Sequence, residues 1–103
     1  MTASPANEDP DPLGAVQRLL QQGEVAKALE TLNSLAESTQ SSAMGQYMRG
    51  VCFRLMRDFA NAESALRQLV EGNPSYGRAF QELGHLYRDA NMPTEALNAY
   101  ATA

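Results

Sequence analysis

Self-similarity at a fixed spacing constrains this chain more than anything else in it. Ala28, Ala62 and Ala96 lie 34 residues apart, and so do Leu32, Leu66 and Tyr100. Leu35, Leu69 and Ala103 keep the same step, as do Leu19, Phe53 and Tyr87, and Val16, Gly50 and Gly84. Five columns of apolar or small residues in one register mark an internal repeat, the feature to identify before any single element is read.

Each unit reads as two helices. Phe80, Leu83, Gly84 and Tyr87 recur at i, i+3, i+4 and i+7, one face of a 3.6-residue helix. Pro93 then restarts the chain, and Ala96, Leu97, Tyr100 and Ala103 keep the same helical spacing. The second unit repeats the pattern with Gly50 and Phe53, a turn near Arg57-Asp58, then Ala62, Leu66 and Leu69. It closes on Gly72-Asn73-Pro74, a helix stop and restart. Helices are expected at about 12–22, 24–37, 42–56, 59–71, 75–90 and 93–103. Gly50, Gly84 and the three alanines mark places where two backbones approach closely. One helix pair cannot cover its own apolar face, so neighbouring pairs must stack. The fold class is all-α, three stacked helix–turn–helix hairpins.

Residues 1–10 (MTASPANEDP) offer nothing apolar to bury and read as disordered. With Asp11, expected to cap the first helix ahead of Pro12, they make a tail of 1–11. The domain is 12–103, with repeats at about 12–40, 43–76 and 77–103.

At these residues the chain resembles the tetratricopeptide repeat family. The third unit, Phe80-x2-Leu83-Gly84-x2-Tyr87 and Ala96-x3-Tyr100-x2-Ala103 preceded by Pro74, matches it almost column for column. The second unit has Gln46 and Arg49 where the pattern calls for bulk, and the first has Gln40 where a proline would close the repeat. The resemblance covers about 12–103 and implies a right-handed α-solenoid. It also implies a protein-interaction scaffold that binds a peptide or protein segment in the groove lined by the first helix of each pair. The third unit stops at Ala103 without a polar capping helix. That implies either the N-terminal part of a longer protein or self-association through the uncapped repeat.

Charge sorts between the helix layers. The first-helix segments carry Arg18, Arg49, Arg54, Arg57, Arg78 and Arg88 against Glu82 and Asp89, a net of +4. The second-helix segments carry Lys27 and Arg67 against Glu24, Glu30, Glu37, Asp58, Glu63, Glu71 and Glu95, a net of −5. Helical phase gives the groove candidates Gln17, Tyr47, Val51, Arg54, Arg78, Gln81, His85 and Arg88. Arg54 and Arg88 occupy equivalent places on adjacent first helices, where two guanidinium forks suit a carboxylate. Tyr47 and Val51 supply an apolar wall beside them, so an acidic, extended peptide is the expected ligand. The plain alternative is a set of solvated arginines. The family's basic and asparagine clamp for a C-terminal carboxylate does not carry over. Arg78 matches one clamp place, but Leu13, Gln17, Met48 and Glu82 hold the others.

The remaining reactive residues read as ordinary. His85 reads as a polar or solvated histidine before a ligand contact, and Cys52, beside Phe53, as a small buried residue. Met44, Met48, Met56 and Met92 read as packing, and Glu63, Glu71 and Glu95 as a solvated outer surface. One cysteine and one histidine are too few for a zinc site or a disulfide. No glycine-rich phosphate loop or nucleophile–base pair is present, so neither catalysis nor a cofactor is expected. The net charge of −4 argues against nucleic acid. No apolar run approaches the ~20 residues of a membrane span, and the N-terminus lacks a signal peptide's pattern, so a cytoplasmic location is expected. The run Tyr76–Leu86 (YGRAFQELGHL) is similar to repeats ahead of bacterial sulfotransferase domains. This implies an alternative role, as the regulatory or assembly domain of a larger enzyme.

Overall fold

Helix follows helix through the whole of the described chain. The computed structural model describes residues 11–103, and the tail expected over residues 1–10 lies outside them. The helices are α1 (Gly14–Gln21), α2 (Val25–Asn33), α3 (Glu37–Gln40), α4 (Ala43–Leu55), α5 (Phe59–Gly72), α6 (Gly77–Asp89) and α7 (Pro93–Thr102). Among the described residues there is no strand. Hairpins α1–α2, α4–α5 and α6–α7 stack in chain order, α2 and α1 against α4, and α5 and α4 against α6. The product is an α-solenoid 54 Å long and 25 by 17 Å across.

One expected helix was too long. The span 24–37 ends as a helix at Asn33, and a separate turn of helix, α3, follows. Gln40, which stands where a proline would close the repeat, holds that turn in place. Its Nε2 donates to the carbonyls of Leu35 (2.7 Å) and Asn33 (3.0 Å), groups that the end of α2 leaves without a helical partner. The first turn of α4 then packs directly on α3. A Cβ on Gly45 would lie 2.4 Å from the Thr39 carbonyl oxygen, so only glycine fits.

Local chemistry sets the other boundaries. The Leu13 N–H donates to Asp11 Oδ1 (3.0 Å), which fixes the entry to α1. Ser42 Oγ accepts from the Gly45 N–H (3.1 Å) at the start of α4, and Pro93 begins α7. The turn inside every hairpin is the same. Gly23, Arg57 and Asn91 all adopt positive φ (80°, 62° and 62°), again 34 residues apart. Behind each, a backbone bond closes the helix end: Glu24 to Leu19 (2.8 Å), Asp58 to Phe53 (2.8 Å) and Met92 to Tyr87 (2.7 Å).

Two apolar clusters fill the stack. Leu13, Val16, Ala28, Leu32, Met48 and Cys52 form one between the first and second hairpins. Ala62, Leu66, Leu83, Leu86, Tyr87 and Ala96 form the other between the second and third. Cys52 is buried, and that burial pushes its thiol up to about 11 against the lowering influence of Arg49. Met48 packs in the core and Met44 against it. Met56 and Met92, expected in packing, are exposed instead, because both sit at the hairpin turns beyond the apolar stripe. Leu97 on α7 is 70% exposed. It lies beside Pro93, Ala96 and Tyr100 on the face that the repeat pattern leaves uncovered.

The glycine columns have a measurable consequence. A Cβ on Gly50 would lie 2.6 Å from Leu66 Cγ and Cδ2, and one on Gly84 would lie 2.5 Å from the Tyr100 ring. Leu66 is fully buried, whereas Tyr100 is half-buried on the outer helix. Overpacking costs about 1–3 kcal/mol, offset by about 1 kcal/mol of helix propensity for alanine over glycine. Gly50→Ala should therefore lower stability by about 1 kcal/mol or more, and Gly84→Ala by less. Urea unfolding of the two variants checks the order.

Candidate functional site

The helices α1, α4 and α6 adjoin one another, so their outward residues share one face. Gln17 is exposed on α1, and Val51 is half-buried on α4. Tyr47 on α4 lies under the guanidinium of Arg78 from α6, with Cζ 4.6 Å from the ring centroid. Tyr76, just before α6, tilts against the same ring at 6.3 Å, and its hydroxyl reaches Met44 Sδ at 4.0 Å. An arginine held over an aromatic ring is attracted to the π system and still has N–H donors to offer a ligand. Arg78 is exposed and forms no ion pair among the described residues. Gln81 is exposed one turn further along α6.

Arg54 and Arg88 do come together, but around an anion that the chain supplies. Asp89 Oδ2 accepts from Arg54 Nη1 at 2.9 Å. Its Oδ1 accepts from Arg88 Nε and Nη2 at 3.1 and 3.0 Å. Arg54 Nε also donates to Glu82 Oε2. The two forks expected to await a ligand are thus already engaged, Arg54 through Nε and Nη1 and Arg88 through Nε and Nη2. Glu82 and Asp89 were visible as the only acids of the first-helix segments. Seven residues apart, they occupy one face of α6, and that spacing was the signal for their shared role.

Electrostatics make this cluster a fixed part of the frame. Glu82 is 3% exposed, and a carboxylate removed from water needs a paired, hydrogen-bonded countercharge. Burial works against the charge on Arg54, but the bonds and charges of Glu82 and Asp89 outweigh it and hold its pKa above the ordinary arginine value. Burial likewise disfavours the Asp89 carboxylate, yet the hydrogen bonds and charges of Arg54 and Arg88 leave its pKa below the usual range.

His85 makes a polar contact of the kind expected of it, while the expectation for Glu63 changes. His85 turns toward its own hairpin, with Nδ1 2.7 Å from the Tyr100 hydroxyl and the rings edge to face at 5.5 Å. Glu63, expected on a solvated surface, accepts from the Tyr87 hydroxyl (2.7 Å) and from Arg67 Nε (3.1 Å). The hydrogen bond from Tyr87, ahead of the others, holds the Glu63 carboxyl below its ordinary pKa. Arg67 Nη2 donates to the same hydroxyl at 2.6 Å, so this triad ties α5 to α6. Glu71 and Glu95 are exposed. Among the described residues, no group of three His, Cys, Asp or Glu is placed to hold a metal ion. No described helix is long and apolar enough to cross a membrane.

Arg54→Met should destabilise the chain by about 3 kcal/mol or more, because it leaves Glu82 buried and unpaired. Adding Glu82→Met should restore most of the loss, and a double-mutant cycle by chemical denaturation reads the coupling. A carboxyl whose pKa falls on folding stabilises above its unfolded value, about pH 4 for aspartate. Asp89 therefore contributes at neutral pH, and its contribution is lost as pH falls through the depressed folded value. Asp89→Asn should lower stability near pH 7 and flatten the decline on acidification, as measured by urea midpoints across the pH series.

Comparison with known proteins agrees with the hairpin architecture. A tetratricopeptide repeat family model matches residues 13–77 and 56–103. No curated protein and no solved structure matches the chain. Repeats of this family generally mediate protein–protein interaction. A match across nearly all of the described residues, on hairpins that stack as the 34-residue columns require, shows that the chain belongs to the tetratricopeptide repeat family.

Proposed function

We propose that the face formed by α1, α4 and α6 binds an acidic, extended segment of a protein partner. The observation that carries this reading is Arg78, an exposed guanidinium stacked on Tyr47 and free of any ion pair among the described residues. An acidic side chain of the ligand bonds the open edge of Arg78. Tyr47, Tyr76 and Val51 offer an apolar floor beside it, and Gln17 and Gln81 offer exposed amides. Arg88 serves as a second cation at the rim, in competition with Asp89. Arg54 takes a framing role, since it balances the buried Glu82.

Other polar groups of the three first helices are taken up within the chain. The one imidazole is hydrogen-bonded to a tyrosine within its own hairpin, and the described carboxylates at the face are paired with arginines.

The test is a fluorescence-anisotropy screen of labelled acidic peptides against the chain, with charge-neutral glutamine and asparagine versions as controls. Arg78→Ala with Arg88→Ala should weaken a selected peptide by roughly tenfold or more, on the scale of one or two charge-assisted bonds. The same change should reduce the dependence of affinity on salt. Unchanged affinity and salt slope in that double variant would overturn the reading.

A further inference from the structure

A second hollow lies away from this face, between α3, α4 and α5. It measures about 190 Å³ and is lined by Glu37, Gln40, Ser41, Gln46, Arg49, Ala65 and Gln68. The third hairpin has an equivalent hollow of about 270 Å³, lined in part by Phe80, Leu83, Ala99 and Thr102. Stepping back 34 residues turns those four into Gln46, Arg49, Ala65 and Gln68. Arg67, Glu95 and Asn98 also line the third hairpin's hollow, so the contrast lies in two positions, where Phe80 and Leu83 give way to polar residues in the second hairpin. The two positions responsible, Gln46 and Arg49, are those where the sequence departs from the bulky repeat pattern.

Arg49 is half-buried and has no carboxylate partner among the described residues. Its Nη2 donates to two neutral oxygens, Gln40 Oε1 at 2.9 Å and Asn33 Oδ1. Gln40 is itself held by the carbonyls of Leu35 and Asn33, so the guanidinium is braced from one side. Nε and Nη1 make no hydrogen bond among the described residues, and neither do the amides of Gln46 and Gln68. A half-buried cation with only neutral partners and spare donors is poised for an anion. Glu37 is exposed and forms no ion pair, and its negative charge nearby disfavours a dianion such as phosphate over a single negative charge.

We infer that this hollow is a binding site for a monoanionic carboxylate, with Arg49 as its charge partner and the Gln46 and Gln68 amides as neutral donors. The site shares no residue with the Arg78–Tyr47 face and stands independently of the function proposed there. Its carboxylate comes either from a small free acid or from an acidic side chain of a peptide.

Nuclear magnetic resonance of the full chain distinguishes these. The probes are sodium acetate, sodium phosphate and sodium chloride at constant ionic strength, and an acetylated, amidated Gly-Gly-Glu-Gly-Gly peptide with its glutamine counterpart. Acetate should give saturable shifts at the Arg49 Nε–H and at the side-chain amides of Gln46 and Gln68, whereas chloride should not. The glutamate peptide saturating at lower concentration than acetate would assign an acidic side chain, and the reverse order would assign a small free acid. Gln46→Phe with Arg49→Leu installs the third hairpin's own residues, and the acetate shift at the Gln68 side-chain amide, the probe that this folded variant retains, should vanish. Equal responses to acetate and chloride, an equal response to phosphate, or shifts that persist in the double variant would overturn the proposal.

Discussion

Two helices in each hairpin must approach more closely than ordinary side chains allow, and most of the structure follows from how they do so. Gly50 admits Leu66, Gly84 admits Tyr100, and the buried alanines at 28, 62 and 96 leave space on the opposing helix. With the backbones drawn together, Leu66 and Tyr100 fill the space between the helices of their hairpins, and the other large apolar residues remain on the hairpin faces. They then have to be covered by the next hairpin, which is why the two clusters lie at the junctions. A fully buried leucine such as Leu32 or Leu66 is worth roughly 1.5–3 kcal/mol, so each junction rests on a handful of side chains. The uniform left-handed turns at Gly23, Arg57 and Asn91 deliver the second helix of every hairpin at the same angle, so that the junctions can repeat.

The two junctions nevertheless differ in polar chemistry. Between the first and second hairpins, Arg49 meets only the amide oxygens of Asn33 and Gln40. Between the second and third, Arg54 meets Glu82 and Asp89 on one side, and Glu63 and Arg67 meet Tyr87 on the other. Buried charge needs a partner more than it supplies stability. The second junction is therefore the more exacting in its geometry, and the first the more permissive.

The repeat, the hairpins and the main core positions were legible from spacing alone, because columns such as Ala28–Ala62–Ala96 report packing that recurs. The short α3 was not legible. Its boundaries depend on Gln40 bonding two carbonyls and on Gly45 fitting under Thr39, contacts specific to one place in the chain. The face candidates were legible as to helix side but not as to partner. Helical phase put Arg54 and Arg88 together, yet it could not show that Asp89 lies between them, since that contact joins residues 35 apart through a particular choice of rotamers. His85 was legible as a polar residue but, for a similar reason, not as to its partner. Its ring had a nearer partner in Tyr100, a residue of the outer helix that no periodicity on α6 reveals.

The position of Asp89 has a bearing on selectivity. By occupying the open edge of Arg88 and one arm of Arg54, it acts as a built-in competitor, tethered at a fixed effective concentration beside the cations that an acidic ligand would seek. A lone carboxylate arriving from solution has to displace it and gains little by the exchange. Only a segment that also engages Arg78 and the tyrosines gathers enough contacts to win. Under the proposed function, the face would ignore scattered negative charge and respond to acidic residues set at the right distance from one another along a chain.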